Sequence, residues 1–444
     1  MIRKTSSSVP HMKKKPRLAL FGFVWQSISL SHRYNMPSLS SCPCCSFAAL
    51  NENLFLPESV VPATSEAAQD TQGQASDGTT GDSLPDLSTV WKEIQQSSSA
   101  NDAVQEKQQQ PCIRLVDTHG HAHLEQLDKD DNAYASPLYR SLPTNDNFSD
   151  SFLSVSCAVA PADWNACVQH ASTSPQRMAA LGVHPWYLAD LAPDWLPNLE
   201  ALLQQHKGVM VGEIGLCKVA KFLRTYKHGK TAALALQRDV FTQQLDLAAA
   251  YQRPVTVHCV HQQQVLLDTL KARSNLAQLP PTIGLHSFTG TAHHVDQLLK
   301  WEASLAQSSS SSSRRKKKKR GGDIDANGVS QDVTQQSPPL PPLLYFGFSH
   351  TVNYAMCSSD KSRQQGREAI RRVPADRLLA ESDVHCTLDC MGGTALAVAY
   401  LAWALEEPIA VVAQRTTANA LRFLQSIQKS TTERRQDTGQ GDEA

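Results

Sequence analysis

The sequence lacks several features that would assign it to a common class of protein. Aromatic residues make up only 6% of its 444 residues, and 42 basic side chains are balanced by 42 acidic ones. Without net charge, the molecule has no overall field that would draw it to nucleic acid or to an anionic membrane, so any such contact has to be local. No apolar run reaches the roughly 18 residues that span a bilayer. A membrane partner is therefore not expected.

The 11 cysteines lack the regular spacing of a disulfide-stapled secreted domain. Several of them, including Cys112, Cys157 and Cys259, lie inside apolar runs, which indicates buried thiols in a reducing compartment. We therefore expect an intracellular protein of the cytoplasm and/or nucleus. The first acidic residue is Glu52, and the preceding segment is rich in Ser, Lys and Arg, as in transit peptides. Organelle targeting and a plain unfolded extension are both compatible with that composition.

Three segments are too polar to offset the entropy of ordering them. They are the stretch 62–110, the stretch 307–342 with its serine, basic and proline runs, and the last dozen residues. We predict a disordered or targeting extension at 1–111, a folded domain at 112–429 with a low-complexity insertion at 303–342, and a disordered tail at 430–444. The basic run in the insertion is typical of a nuclear-localisation or nucleic-acid patch, and also of an ordinary solvated loop.

Within the folded part, short apolar and β-branched runs recur eight times, with helical patterns between them. Such runs suit strands that are buried on both faces of a parallel sheet. Eight strands alternating with helices over roughly 280 residues match an α/β fold of the (β/α)₈ TIM type. A doubly wound open sheet is the alternative, but it would carry a glycine fingerprint after its first strand, and DTHGH is not one. The runs are 112–116, 152–159, 179–183, 209–216, 254–260, 281–288, 343–349 and 377–382.

Imidazole and carboxylate side chains stand at the ends of five of these runs. In TIM-type barrels the active site lies at the carboxyl ends of the strands, and these two groups are the donors that hold Zn, Mn or Mg. Alternate residues of a strand point the same way, so His119 and His121 can face one cation. Carboxylates crowded together without cations would repel each other. The sequence therefore predicts a metal centre built from His119, His121, Glu213, His258, His286 and Asp383.

Taken together, these motifs resemble those of the TatD-type deoxyribonuclease family, over essentially all of residues 112–429. The resemblance implies an amidohydrolase-like TIM barrel that uses two divalent cations (Mg²⁺, Mn²⁺ or Zn²⁺) to hydrolyse phosphodiester bonds in DNA. It also implies that His119 and His121 bind the first cation, that Glu213 is shared, that His258 and His286 bind the second, and that Asp383 is the strand-eight ligand. The motifs are DTHGH, GVHP, GEIG, PVTVHC, HSFTG and ESD.

The chemistry expected at this centre is attack of water on a phosphodiester. Two cations lower the pKa of water and neutralise phosphoryl oxygens. The expected catalytic residues are Asp383, which would accept the proton, Glu213, and His184, which would lie near the substrate phosphate. Asp117 is expected to orient a ligand histidine from behind. The expected protein is a monomer with DNA as its partner.

Four positions depart from the family pattern. Cys217 stands where the family has aspartate after GEIGL, and His385 follows where proline is usual. Val260 replaces a common arginine after the strand-five histidine, which removes a bidentate phosphate donor. His123 extends HxH to HxHxH, so a register that uses His121 and His123 is possible; the preceding Asp117-Thr118 favours His119 and His121.

Two alternatives to a deoxyribonuclease stay open at this point. Related metal barrels hydrolyse small amides or esters with the same cations, and Val260 favours that reading. A catalytically silent barrel that acts as a binding protein is the other. An intact ligand set argues against it, because buried charges without a use are costly.

Overall fold

The computed structural model describes residues 84–96, 113–126, 136–140, 143, 146–273, 275–318, 342–357 and 359–425. All of them belong to one unit, Ser40–Ala444. The predicted extension before residue 84, the insertion beyond residue 318 and the predicted tail at 430–444 lie outside the described residues.

Eight strands form one parallel sheet whose strand order follows the chain. The backbone N–H of Asp383 donates to the carbonyl of His119 at 3.0 Å, and that of His121 donates to the carbonyl of Val384 at 2.8 Å. These bonds join the end of the last strand to the first, so the TIM-type barrel prediction is confirmed. The strands are β1 (Leu115–Gly120), β2 (Phe152–Cys157), β3 (Arg177–Leu181), β4 (Met210–Cys217), β5 (Val255–Val260), β6 (Ile283–Leu285), β7 (Leu344–Ser349) and β8 (Leu378–Glu381).

Helices follow the strands from β2 onward, and short 3₁₀ turns follow β1. The apolar helix faces pack against the strands and form a large core with them, and a second, smaller cluster joins strand residues to the end of the last helix. The helices are α1 (Leu87–Gln96), α2 (Trp164–Ser172), α3 (Trp195–Gln205), α4 (Gly229–Ala250), α5 (Gln263–Lys271), α6 (Ala292–Lys318), α7 (Asp360–Arg372), α8 (Thr387–Leu405) and α9 (Ile409–Phe423).

The first strand begins and ends later than predicted. The apolar pattern ends at Val116, but β1 continues through Asp117, Thr118 and His119, all of which are buried. Polar side chains are tolerated there because each finds partners inside the barrel mouth. Hydrophobic pattern alone therefore placed this strand too early in the chain.

The prediction that residues 1–111 are disordered is wrong for α1. This helix buries Leu87, Val90, Trp91 and Ile94, and the Trp91 ring lies 5.4 Å from the ring of Phe148. The four apolar residues recur at the helical period and so form one stripe. That short pattern was hidden in a window whose average composition is polar.

The predicted insertion also begins too early. Helix α6 runs without a break from Ala292 to Lys318 and so extends through the first 16 residues of the stretch assigned to low complexity. Trp301 and Leu305 are buried against the core. An abundance of serine and lysine therefore does not by itself mark the end of a helix.

Helix α8 is long and apolar enough, by length and composition alone, to cross a membrane. The sequence analysis expected no apolar run of the length that spans a bilayer, and this helix meets that length by its average hydropathy. In this structure 83% of the apolar window is buried inside the protein. The helix is apolar on nearly all sides because it packs between β1, β7, β8 and the neighbouring helices α1, α7 and α9.

Candidate metal centre

The carboxyl ends of β1, β4, β5, β6 and β8 bring the six predicted ligands together. Strand β4 lies between β3 and β5, and its Glu213 is within 3.5 Å of histidines at the ends of β1, β5 and β6. The strands approach closely there: a Cβ atom on Gly215 would collide with the carbonyl oxygen of His258. Glycine at that position therefore lets β4 and β5 hold their ligands side by side.

One oxygen of Glu213 faces the two histidines of the HxH motif. Its Oε2 atom lies 3.4 Å from Nε2 of His119 and 3.5 Å from Nε2 of His121. Asp383 approaches His121 and also His286, with Oδ1 3.6 Å from Nε2 of His121 and Oδ2 4.0 Å from Nε2 of His286. All of these side chains are buried. Two carboxylates therefore flank a shared set of imidazole nitrogens.

The other oxygen of Glu213 faces three more histidines. Oε1 lies 3.1 Å from Nδ1 of His258, 3.3 Å from Nε2 of His184 and 3.4 Å from Nε2 of His286. The His184 and His258 rings meet edge to face, with centroids 4.5 Å apart. Glu213 thus separates two groups of nitrogen donors, one at each of its oxygens.

The donor chemistry fits divalent cations. Nε2 of His119 is buried and has no hydrogen-bond partner among the described residues, as expected of a lone pair that is directed at a cation. Neutral imidazole and carboxylate suit Zn, Mn and Mg. Three overlapping groups have ligand atoms within 4.8 Å of one another: His119, His121 and Glu213; His119, His286 and Asp383; and His184, Glu213 and His258.

The opposite nitrogens of the ligand histidines are held by other groups. Nδ1 of His121 lies 2.7 Å from the carbonyl oxygen of Cys157, and Nδ1 of His286 lies 3.2 Å from Oε1 of Glu381. Both partners are acceptors, so in the neutral form of each ring Nδ1 carries the proton and Nε2 keeps a free lone pair. Nδ1 of His119 likewise contacts the hydroxyl of Thr256 on β5 at 2.8 Å. Such partners fix the tautomer and orientation of a metal-binding ring.

Asp383 is held in a backbone conformation that L-residues rarely adopt. Its φ angle is +53°, in the left-handed region, and non-glycine residues in this region are enriched at functional sites. The hydroxyl of Ser287 donates to Oδ2 of Asp383 at 3.0 Å and also contacts the hydroxyl of Ser349 at 2.8 Å. The carboxylate is therefore fixed both through its backbone and through its own oxygen.

Asp117 does not contact a ligand imidazole, so its expected role needs correction. Its Oδ1 accepts the backbone N–H groups of Ser382 and His119 at 2.9 and 3.2 Å, and its Oδ2 accepts the Ser382 hydroxyl at 2.6 Å. The carboxylate therefore ties β1 to the turn after β8. It positions the backbone of ligand residues rather than a ring. Burial raises the pKa of Asp117 to about 7, against the opposing effect of these hydrogen bonds.

His123 lies outside the cluster. Its Nε2 atom is 3.1 Å from Oδ2 of Asp163, whose carboxylate also accepts the backbone N–H groups of Val159 and Ala160. His119 and His121, by contrast, both face Glu213. The structure therefore brings the first of the two possible HxH registers to the centre.

Electrostatics without a cation leave protons on some histidines. Burial alone would raise the pKa of Glu213 and of Asp383, but the surrounding imidazoles outweigh it and hold both pKa values well below their usual range. Burial lowers the pKa of His258 and of His286, yet their hydrogen bonds and the nearby carboxylates raise these pKa values to about 10 and about 9. These protons supply part of the positive charge that a bound cation would supply.

His184 differs from these histidines. Burial is the largest influence on the pKa of His184 and lowers it to about 4, so the ring is neutral near pH 7. The backbone N–H of Trp186 donates to its Nδ1 at 3.3 Å. The ring proton therefore sits on Nε2, which faces the centre. His184 is placed there as a hydrogen-bond donor.

Two departures from the family pattern lie at the edge of the centre. The indole N–H of Trp186 donates to Sγ of Cys217 at 3.1 Å. Burial would raise the pKa of the Cys217 thiol, but a hydrogen bond to His258 and that residue's charge lower it overall. The ring of His385 packs 5.1 Å from that of His121, and burial lowers the pKa of His385 to about 3.

Sequence reasoning missed three residues that support the ligands: Thr256, Ser287 and Glu381. Glu381 lies within the ESD motif, two residues before Asp383, so its spacing was a usable signal. Thr256 lies two residues before His258 on β5, where alternate side chains share a face. Ser287 directly follows His286, and nothing in its sequence context indicated that it contacts Asp383.

Comparison with known proteins finds that part of the chain is similar to TatD-type nucleases. The family model described as TatD related DNase matches residues 116–324. A human 3'-5' RNA nuclease, TATDN2, is 25% identical over 206 residues, which are 46% of this chain and 19% of that protein. The 3'-5' ssDNA/RNA exonuclease TatD of Edwardsiella piscicida is 35% identical over 121 residues, which are 27% of this chain and 42% of that protein.

The chain thus spans less than half the length of either relative. Among solved structures, the TatD homologue YJJV from Escherichia coli K12 is 20% identical, with a TM-score of 0.49; the match covers 70% of this chain and 98% of that one.

Proposed function

Because residues 116–324 are similar to the TatD-related DNase family, and two nucleases are among the chain's relatives, we propose that the chain is a metal-dependent hydrolase that cleaves phosphodiester bonds in nucleic acid, with DNA as its first candidate substrate. The observation that carries the proposal is the single pocket in which Glu213 meets five imidazoles within 3.5 Å. Residues from five strand ends form it, and Asp383 lies beside it.

Two divalent cations, Mg²⁺, Mn²⁺ or Zn²⁺, fit this donor set. Glu213 would be shared, because its two oxygens face different groups of nitrogens. His119 and His121 would serve the Oε2 side, and His258 and His286 the Oε1 side, with Asp383 completing the set. When bound, the cations supply Lewis acidity that lowers the pKa of water and neutralises phosphoryl oxygens.

Asp383 is the proposed general base. Its pKa lies well below the usual range, so the carboxylate is ionised and can accept a proton from an attacking water. The Ser287 hydroxyl and the left-handed backbone hold it in place. A base that is fixed in this way does not have to be oriented during the reaction.

His184 is the proposed donor to the substrate. A neutral ring with its proton on Nε2 can donate to a phosphoryl oxygen without repelling the cations. Glu213 at 3.3 Å accepts from the same nitrogen in the absence of substrate. The family often has arginine at the position of Val260, where it can donate to phosphate. His184 would provide part of that hydrogen bonding in this chain.

A metal-requirement assay tests the proposal. The full chain, after treatment with chelator and reconstitution with Mg²⁺, Mn²⁺ or Zn²⁺, is incubated with single-stranded DNA, RNA and a panel of small esters and amides. Metal-dependent cleavage of nucleic acid supports the proposal. Turnover of small amides or esters alone would refute the proposal in favour of the alternative hydrolase. Stoichiometric metal binding without turnover of any substrate would refute it in favour of the binding protein.

The setting of this activity is part of the same proposal. Seven described cysteines are free thiols, and six of them are buried, which suits the reducing cytoplasm or nucleus; there the protein would act as a monomer. An N-terminal targeting signal would direct it to an organelle instead. Fluorescence microscopy of the full chain and of a form that lacks residues 1–83 distinguishes these locations.

A further inference from the structure

The loop between β4 and α4, taken with the first turn of α4, carries positively charged side chains and no negatively charged ones. The whole chain has no net charge, yet no acidic residue occurs between Glu213 and Asp239. Five basic side chains of this loop are exposed, and none has an acidic partner among the residues that the structure describes. These residues, here called the basic loop, are Lys218, Lys221, Arg224, Lys227 and Lys230.

The basic loop is fixed to the barrel. Phe222 and Leu223 are buried at 5% and 3% exposure, inside the 3₁₀ turn Lys221–Arg224. The backbone N–H of Lys218 donates to the carbonyl of Val260 at 3.0 Å, and that of Tyr226 donates to the carbonyl of Phe222 at 2.8 Å. The basic side chains therefore project from an ordered backbone, here called the platform. Because this backbone is already fixed, little of its conformational entropy is lost when a ligand binds.

This platform begins at the edge of the metal centre. Lys218 follows Cys217, which pairs with Val260, two residues beyond the candidate ligand His258. The Trp186 indole bonds to Cys217, and its ring centroid lies 6.1 Å from that of His184. A continuous line of contacts thus leads from His184 through Trp186 to the start of the basic loop.

The neighbouring loop has the opposite charge. Residues 182–194, after β3, include Asp190 and Asp194, both exposed, and contain no Lys or Arg. An anionic chain that enters the mouth is therefore attracted to the β4 side. Half-buried aromatic rings of Trp186 and Tyr226 lie beside this route, and such rings stack on unpaired bases.

Resting on the function proposed above, we propose that the basic loop binds the sugar-phosphate backbone of a single-stranded nucleic acid next to the scissile bond. Glu213 is only 3% exposed, so the reacting phosphate has to enter a recess, which a single flexible strand can do. The loop cations would bind successive phosphates outside that recess. They would replace binding energy that is lost with the arginine at the Val260 position, without touching the reacting atoms.

A charge-removal experiment tests this assignment. The probes are fluorescein-labelled single strands of about 20 nucleotides, one DNA and one RNA, and a DNA duplex of the same length. Their binding to the full chain with Asp383→Asn is followed by anisotropy over a range of salt. In this background, the triple change Lys221→Ala, Arg224→Ala and Lys227→Ala should weaken single-strand binding about tenfold or more and reduce the salt slope by about 2, at roughly 0.7 per lost phosphate contact.

Two further triple variants serve as controls. Lys221→Arg, Arg224→Lys and Lys227→Arg keep the charge and should bind like the parent chain. Lys92→Ala, Lys271→Ala and Lys300→Ala remove three exposed cations outside the loop and should leave binding unchanged. Unaltered binding by the loop variant, or an equal loss in both alanine variants, overturns the assignment. Equal losses for duplex and single strand overturn its restriction to single strands.

The loop assignment and the nuclease proposal fail separately. With Asp383 intact, the wild type alone is assayed for metal-dependent hydrolysis of bis(p-nitrophenyl) phosphate, a small phosphodiester. Absence of any phosphodiester hydrolysis in the wild type would refute the nuclease proposal, while the binding results still decide the role of the loop. The DNA and RNA arms identify which strand is preferred.

Discussion

Nδ1 of His286 lies 3.2 Å from Oε1 of Glu381, although the two residues are 95 positions apart in the chain. The carboxylate accepts a hydrogen bond from the ring N–H of His286 and another from the backbone N–H of Ser287. It therefore determines both the tautomer of His286 and the path of the loop that carries Ser287 to Asp383. Glu381 thus positions both His286 and Ser287, although no contact of Glu381 with Glu213 or Asp383 is seen among the described residues.

Glu381→Gln should weaken metal binding while the barrel stays folded. Glutamine keeps the shape and one acceptor oxygen but loses the charge that supports His286 as a ligand. Changes of this kind typically cost about 10–100-fold in metal affinity, measurable by calorimetric titration of the metal-free protein. Glu200→Gln on α3 is the matched control and should bind metal like the wild type. Equal affinities in all three proteins would remove Glu381 from the site.

Asp383→Asn should abolish turnover. The amide cannot accept the proton from water, and losses of about 10²–10⁴-fold are usual when a general base is removed. Circular dichroism should show an intact fold, and metal content should be measured in parallel because the side chain is also a candidate ligand. The control is Asp268→Asn on α5. Full activity in the Asp383 variant would exclude it as the base.

Metal binding should become tighter as pH rises from 6.5 to 9. In the metal-free protein the pKa values of His258 and His286, about 10 and about 9, exceed the ordinary 6.5. Their protonated forms stabilise the fold fully below pH 6.5, and this stabilisation is lost as pH rises through 9 and 10. A cation displaces these protons, and each proton contributes about one order of magnitude in affinity per pH unit.

The measurement for this pH effect is the melting temperature with chelator and with Mn²⁺ at several pH values. The difference between the two should widen with pH, since the chelated protein loses stability while the loaded protein retains its cations. A difference that stays constant from pH 6.5 to 9 would mean that metal binding releases no protons from these histidines.

Cys217→Asp should shift the metal preference. A thiol beside His258 favours softer cations such as Zn²⁺, whereas a carboxylate favours Mg²⁺ and Mn²⁺. After loading from an equimolar mixture, the variant should contain less Zn²⁺ relative to Mn²⁺ than the wild type, as determined by elemental analysis. Cys357→Ser, away from the centre, is the control. An unchanged ratio would show that Cys217 has no influence on the cations.

Trp91→Ala should destabilise the whole barrel. The side chain is 3% exposed and packs on Phe148, so its removal leaves a cavity that costs about 3–5 kcal/mol in free energy of unfolding. Lys92→Ala, one residue along the same helix but exposed, should change stability by less than about 0.5 kcal/mol. Urea unfolding of both variants tests whether α1 is part of the folded domain.

The number of strands and the candidate metal ligands could be predicted from the sequence, because both depend on local patterns of apolar and polar residues. His119, Glu213, His258 and Asp383 each stand at the end of an apolar run, and period-two burial leaves little freedom in where they point. The same local reading placed β1 too early and overlooked α1. In β1 buried polar residues continue the strand, and in α1 four apolar residues are diluted by polar neighbours.

The sequence by itself determined the eight-stranded architecture and the set of candidate metal ligands, since spacing along a strand decides both. Only the tertiary structure decided which imidazole faces which oxygen of Glu213, that Glu381 and Thr256 hold the rings, and that the lysines after Cys217 border the centre. Those relations join residues up to 137 positions apart. They exist only once the closed barrel brings its strand ends into one mouth, and no local pattern encodes that closure.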